Sequence, residues 1–184
     1  GGITMDPQRT PTVCPYCGSI NYFSEGQTAY ACAACALVVQ LTDFQAEVTK
    51  LESAVLDALT QQQTIARQKE LQQMNSLFSQ AAGLQRNRQF AEAERMYRQL
   101  LVQCGDDPEL YWRILMCHYC VEYQEGESGG HVPFILYPDL TPCSEQAEYS
   151  YLFSCVKTKE QSLYYREKLD KIESILSNYR QLRQ

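Results

Sequence analysis

Apolar residues along this chain follow two rhythms, and the change comes at Leu41. Before it, short runs of β-forming residues are punctuated by turn residues. Ile20-Asn21-Tyr22-Phe23 reads as a strand, Ser24-Glu25-Gly26-Gln27 as a turn and Thr28-Ala29-Tyr30-Ala31 as the return strand. Leu37-Val38-Val39-Gln40-Leu41 reads as a third strand. After Leu41 the spacing is helical. Thr42-Asp43-Phe44-Gln45 has the T-x-x-Q form of a capping box, which opens a helix by exchanging two side-chain bonds with unpaired backbone donors. Phe44, Val48, Leu51, Val55 and Leu59 then recur at steps of four and three, which marks one apolar stripe. The stripe fades through Thr60-Gln61-Gln62-Gln63-Thr64, either an exposed helical stretch or a hinge. It covers too few heptads to argue for a coiled coil, so packing against the rest of the chain is preferred over self-association.

Residues 74–104 read as a helical hairpin of the tetratricopeptide type. Leu77, Ala81 and Leu84 line its first helix, Asn87-Arg88-Gln89 forms the turn, and Phe90, Ala93, Tyr97, Leu100 and Leu101 line the second. Ala81 and Ala93 allow close approach of the two helices, while Phe90 and Tyr97 fill the surrounding space. The offsets fit a repeat of roughly 34 residues. Pro108 suits the first position of a further helix with Asp107 as its cap. That helix is expected to run to Tyr123, with Trp112 and Tyr97 buried. Glycines and prolines then break residues 124–142 into a loop, within which His131 to Tyr137 reads as a hairpin arm that Pro133 confines to an edge. Thr158-Lys159-Glu160-Gln161 opens a last helix, whose stripe of Tyr165, Leu169, Ile172, Leu176 and Tyr179 suits a capping element. The helices are thus expected near 43–70, 74–86, 90–104, 108–123, 142–156 and 159–182. The fold class is mainly α: a small β ribbon over 1–42, a helical connector over 43–73 and a tetratricopeptide-like helical domain over 74–184. The stripes at 44–59 and 165–179 are the candidate self-association surfaces.

The cysteines carry the clearest chemistry. Cys14-Pro15-Tyr16-Cys17 is followed, fourteen residues later, by Cys32-Ala33-Ala34-Cys35. Two residues between thiolates let a tight knuckle aim both sulfurs at one point, and a second knuckle completes a tetrahedral shell. Gly18 after the first knuckle suits a turn with positive φ. Four thiolates leave no open coordination position, so Cys14, Cys17, Cys32 and Cys35 predict one structural zinc per chain rather than a catalytic one. A module this small has too little core of its own, and the metal must supply folding energy. On that logic Cys14→Ser should unfold residues 11–41 and leave the helical body standing. Cys117-His118-Tyr119-Cys120 is a third CxxC, but it falls inside an expected helix, where buried thiols are the ordinary reading.

Charge and composition narrow the function. The chain has 184 residues, nine cysteines and a formal charge of −6, which places a nucleic-acid binder at a disadvantage. Residues 1–42 hold a single cation, Arg9, against Asp6 and Glu25, so the ribbon offers little to phosphates. No apolar run is long enough to cross a membrane, and the N-terminus lacks the basic start and apolar stretch of a signal peptide. An odd number of cysteines without such a signal favours a reducing cytoplasm. No phosphate-cradling loop or hydrolytic constellation is visible, and His118 and His131 are the only histidines.

Several segments together carry a family resemblance: the two-knuckle ribbon, Met74 to Ala82, Arg86 to Ala93, Tyr97-Arg98-Gln99-Leu100-Leu101, Tyr111 to Cys117 and Val121-Glu122-Tyr123. This order resembles the N-terminal region of bacterial proteins that join a zinc ribbon and a tetratricopeptide-like domain to a C-terminal Toll/interleukin-receptor (TIR) domain. The resemblance covers about 14–41 and 74–176. Ala36 departs from the glycine usual after the last knuckle, and the helical stretch 43–73 is longer than the family's joint. The chain ends where the effector would begin, so the resemblance implies a sensing or scaffolding region and licenses no NAD-cleaving activity here. The expectation is a non-enzymatic module that binds a protein partner, with homo-oligomerisation an open question. The alternative is a transcription-associated, nucleic-acid-binding zinc-ribbon regulator.

Overall fold

In a computed structural model of the chain, residues 9–52, 58–137 and 139–183 are described. Helices account for 59% of the structure, so it is mainly α with small antiparallel strand pairs. The ribbon contains β1 (Thr10–Val13), β2 (Ile20–Phe23), β3 (Ala29–Ala31) and β4 (Val38–Gln40). The pairing differs from the expectation. β2 and β3 do not form a hairpin across Ser24 to Gln27. Instead β1 pairs with β2, Val13 opposite Ile20, and β3 pairs with β4, Tyr30 opposite Val39. Each knuckle is itself the hairpin loop: Cys14 N–H bonds to Ser19 O and Gly18 N–H to Cys14 O, both at 2.9 Å. The same two bonds recur in the second knuckle, Cys32 N–H to Leu37 O and Ala36 N–H to Cys32 O, again at 2.9 Å.

The capping box at Thr42 forms as expected and opens α1 (Asp43–Glu52), with Gln45 N–H donating to Thr42 Oγ1 at 3.2 Å and Thr42 N–H to Gln45 Oε1 at 2.9 Å. Helix α2 (Ala58–Arg86) runs unbroken through residues 71–73, where a break was expected. A single helix from 43 to 70 is also ruled out. Glu47 and Arg67 would stand roughly 30 Å apart along one helix, yet Arg67 Nε lies 2.9 Å from Glu47 Oε1, so α1 packs beside α2. Gln61 to Gln63 are exposed on α2, which makes that polar run a solvated helical stretch. Of the first stripe, Phe44 and Val48 are buried and Leu51 is half-buried; Val55 and the side chain of Leu59 lie outside the described residues.

Helix α3 (Phe90–Cys104) has the expected bounds and packs antiparallel on α2. Ala81 and Ala93 are fully buried between the two helices. The aromatic at the centre of this packing is Phe78, edge-on to both Phe44 and Tyr97. Helix α4 (Pro108–His118) is buried over Pro108 to Cys117. Leu110 and Ile114 join the α2–α3 core, while Trp112, Leu115 and Met116 join a second core shared with the ribbon and α6. A helix buried on every side must be enclosed by its neighbours, and α4, with Glu109 and Arg113 paired within it, is the central element.

The expected continuation of α4 to Tyr123 is incorrect. Cys120 adopts φ 53°, which ends the helix, and Val121 to Glu125 become β5, paired with β6 (His131–Ile135). Pro133 faces Tyr123 in this hairpin. Bonds at Gly126–Gly130 and Leu136–Cys120 set the alternation so that Pro133 falls in a non-hydrogen-bonded pair, where its missing N–H costs no ladder bond. The helix expected from residue 142 begins instead as a 3-10 turn at Cys143–Glu145, followed by α5 (Ala147–Cys155). Helix α6 (Lys159–Leu182) matches its expected bounds. Its Tyr165, Leu169, Ile172 and Leu176 are all buried in the second core, while Tyr179 at the end of that stripe is exposed. No helix among the described residues is long and apolar enough to cross a membrane.

Candidate metal centre

The two knuckles bring Cys14, Cys17, Cys32 and Cys35 together, with all four sulfurs within 4.8 Å of one another. Cys14 and Cys35 lie 3.8 Å apart and Cys17 and Cys32 3.5 Å apart. A tetrahedron with metal–sulfur distances of roughly 2.3 Å has edges of roughly 3.8 Å, so the four residues fit one metal ion. Cys14, Cys32 and Cys35 are buried and Cys17 is half-buried. Among the described residues this is the one group of cysteine, histidine or acidic side chains that could hold an ion. Cys117 is buried at the end of α4 and Cys120 is half-buried beyond it, in keeping with packing thiols.

The sulfurs are oriented by short polar contacts. Tyr16 N–H donates to Cys14 Sγ at 3.4 Å, and Ser19 Oγ lies 2.8 Å from Cys17 Sγ. Asn21 bridges the hairpins: its amide donates to Cys32 Sγ at 3.3 Å while its carbonyl oxygen accepts Ala33 N–H at 2.9 Å. Burial pushes the Cys14 thiol up and Cys35 to about 11. Burial also acts upward on Cys32, but donors from Cys35 N–H and Asn21 outweigh it and bring Cys32 down to about 6. A divalent cation replaces the protons that such thiols otherwise retain.

The first knuckle is also the joint to the helical body. Tyr16, between the two cysteines, has no exposed surface. Its hydroxyl accepts Trp112 Nε1–H at 3.1 Å and meets the Tyr164 hydroxyl at 2.5 Å. Its carbonyl accepts Arg86 Nη1–H at 3.0 Å, and its ring packs on Tyr123 with centroids 4.5 Å apart. The sequence motif identifies the four ligands but assigns Tyr16, Asn21 and Arg86 no part. A large aromatic inside a two-residue knuckle, where a small turn residue would suffice, is the one signal that could have marked Tyr16.

Between the ribbon and α6 lies a cleft of about 520 Å³, walled by Val38 of β4, Tyr123 and His131 of the hairpin, and Leu163, Tyr164 and Lys168 of α6. Comparison of the chain with protein-family models, with curated proteins and with solved structures gave no match in any of the three.

Proposed function

We propose that the chain is a non-enzymatic protein-interaction module, with one structural zinc holding a ribbon against a tetratricopeptide-like helical body. Soft thiolates in tetrahedral array favour zinc over harder cations. Bound there, zinc would cross-link the knuckles and, having four protein ligands, would keep no position for substrate. Nine free cysteines are in keeping with a reducing cytoplasm. The resemblance to the ribbon-and-repeat region of bacterial TIR-domain proteins adds the expectation of a sensing or scaffolding part in defence or signalling.

The observation that carries the reading is the composite cleft. Ribbon, hairpin and α6 each contribute a wall, and Val38 and Leu163 at its rim are 44% and 60% exposed. Apolar side chains left open beside a concave surface mark an interaction site for a protein segment. The test is affinity capture from native cells with the whole zinc-loaded chain and with Val38→Asp/Leu163→Asp, followed by mass spectrometry. A protein retained by the native chain and lost from the variant is the expected result. Equal recovery by both overturns the cleft as the binding surface. Salt-sensitive retention of the native chain on DNA or RNA would instead favour the nucleic-acid regulator, because phosphate contacts weaken steeply with salt.

A further inference from the structure

The proposed metal centre sets a charge problem. Four thiolates around one divalent cation leave two negative charges in excess, and three of the sulfurs belong to buried residues. Excess charge inside a protein is costly unless something offsets it. The backbone and amide donors on the sulfurs are dipoles, not charges. The ribbon's single cation, Arg9, is exposed to solvent, and residues 10–42 contain neither lysine nor arginine. Any counter-charge must come from the helical body.

Two cations of the body reach the first knuckle. Arg86 is bonded to the Tyr16 carbonyl. Lys168, one helical turn beyond Tyr164 on α6, places its Nζ 4.5 Å from the ring centroid of Tyr16, 5.4 Å from that of Tyr123 and 5.2 Å from that of Tyr164. The three rings form a cage whose negative faces suit an ammonium. Among the described residues no carboxylate lies within ion-pair distance of Lys168, although α6 ion-pairs elsewhere, Arg180 with Glu173. Burial and the neighbouring Lys171 bring Lys168 down to about 8, while Glu109, Cys35 and Cys14 act on it in the opposite direction. Glu109 is already held by Arg113 and Tyr165, so with metal bound the knuckle sulfurs would be the negative charge without a charged partner.

We infer that Lys168 is the counter-cation of the metal centre: caged by Tyr16, Tyr123 and Tyr164, its ammonium offsets the charge of the tetrathiolate and sets how tightly the ribbon holds its metal. This rests on the zinc reading above. It makes Lys168 a positioning residue, acting through the field it imposes rather than by coordination. It also ties α6 to the ribbon electrostatically, because on metal loss the sulfurs take up protons and the net negative charge that Lys168 offsets disappears.

The test measures zinc retention by competition with a chromophoric chelator, at fixed pH and salt, for the native chain, Lys168→Met, Lys168→Arg and Lys171→Met. Methionine keeps the hydrocarbon stem and removes the charge. Lys168→Met should weaken apparent zinc affinity by about 10- to 100-fold, the range found when a supporting partner of a metal ligand is removed. Lys168→Arg should keep most of the affinity and Lys171→Met all of it. Native affinity in Lys168→Met, or an equal loss in Lys171→Met, overturns the inference. Should Lys168→Met fail to fold even in excess zinc, the cobalt-loaded native and Lys168→Gln chains decide. Removing the positive charge shifts the thiolate-to-cobalt absorption band, and an unmoved band overturns the counter-charge role. A native chain that takes up neither zinc nor cobalt defeats the metal reading itself, a result distinct from native affinity in Lys168→Met.

Discussion

Ala36 stands in the second knuckle where Gly18 stands in the first. Both follow the second cysteine, both donate their N–H to the first, and both have positive φ, 64° for Ala36 and 82° for Gly18. Glycine takes this conformation freely, whereas a Cβ costs about 1–2 kcal/mol there. Ala36→Gly should therefore stabilise the metal-loaded chain. The added freedom of glycine in the unfolded state offsets about 0.4–1 kcal/mol of the relief, which leaves a gain of about 0.5–1 kcal/mol, visible as a higher melting temperature. Gly18→Ala should go the other way, since its Cβ would also come within 3.2 Å of Arg86 Nε, next to the bond that Arg86 makes to Tyr16. A lower melting temperature for Ala36→Gly would refute the strain argument. The ligands were legible at this scale because a CxxC knuckle is a local object. The partners of Tyr16 were not, because Trp112 and Tyr164 lie 96 and 148 residues away in the chain.

Among the elements, the helix starts carry the most information. Asp107 caps α4 by accepting Glu109 N–H at 3.1 Å, as the sequence leads one to expect. Its other oxygen accepts Asp43 N–H of α1 at 2.8 Å, so one buried carboxyl serves two helix N-termini. Burial, with the nearby Asp43 and Glu109 charges, raises Asp107 from its ordinary 3.8 to about 7, against the downward pull of the two N–H donors. The folded chain then holds this proton at pH values where the unfolded chain has released it. Asp107's contribution is complete below 3.8 and is lost as pH rises through about 7. The melting temperature of the native chain, relative to Asp107→Asn, should fall between pH 5 and pH 8, and a pH-independent difference would exclude the shift. The caps of α1, α4 and α6 were readable because each lies within three residues of the helix it opens. The end of α4 was not, because the apolar spacing continues past Cys120 and only the pairing of β5 with β6 favours a strand there.

At the scale of the whole molecule, the ribbon and the body share one core. Tyr16, Phe23, Tyr30 and Val39 pack in the same cluster as Trp112, Leu115, Leu169 and Ile172. Unfolding of residues 11–41 alone, which sequence reasoning favours, would strip Trp112 of its partner and open that cluster to water. On the zinc reading, chelation of the metal, or Cys14→Ser, should therefore lower the melting temperature of the helical signal in far-UV circular dichroism. It should also change the fluorescence of Trp112, the single tryptophan. A helical transition unmoved by metal removal would restore the picture of two independent units.

By itself the sequence determined the four clustered cysteines, the mainly helical body, the bounds of α3 and α6 and the caps that open three helices. All of these rest on contacts between residues close in the chain or on a periodicity that one element carries alone. The tertiary structure decided which strands pair, where α4 ends, and that α1 lies beside α2 rather than running into it. It also decided the insertion of Tyr16 into the body and the caging of Lys168 over the knuckle. Each of these is a choice among partners far apart in sequence, settled by which arrangement buries the most apolar surface while leaving the fewest polar groups unpaired.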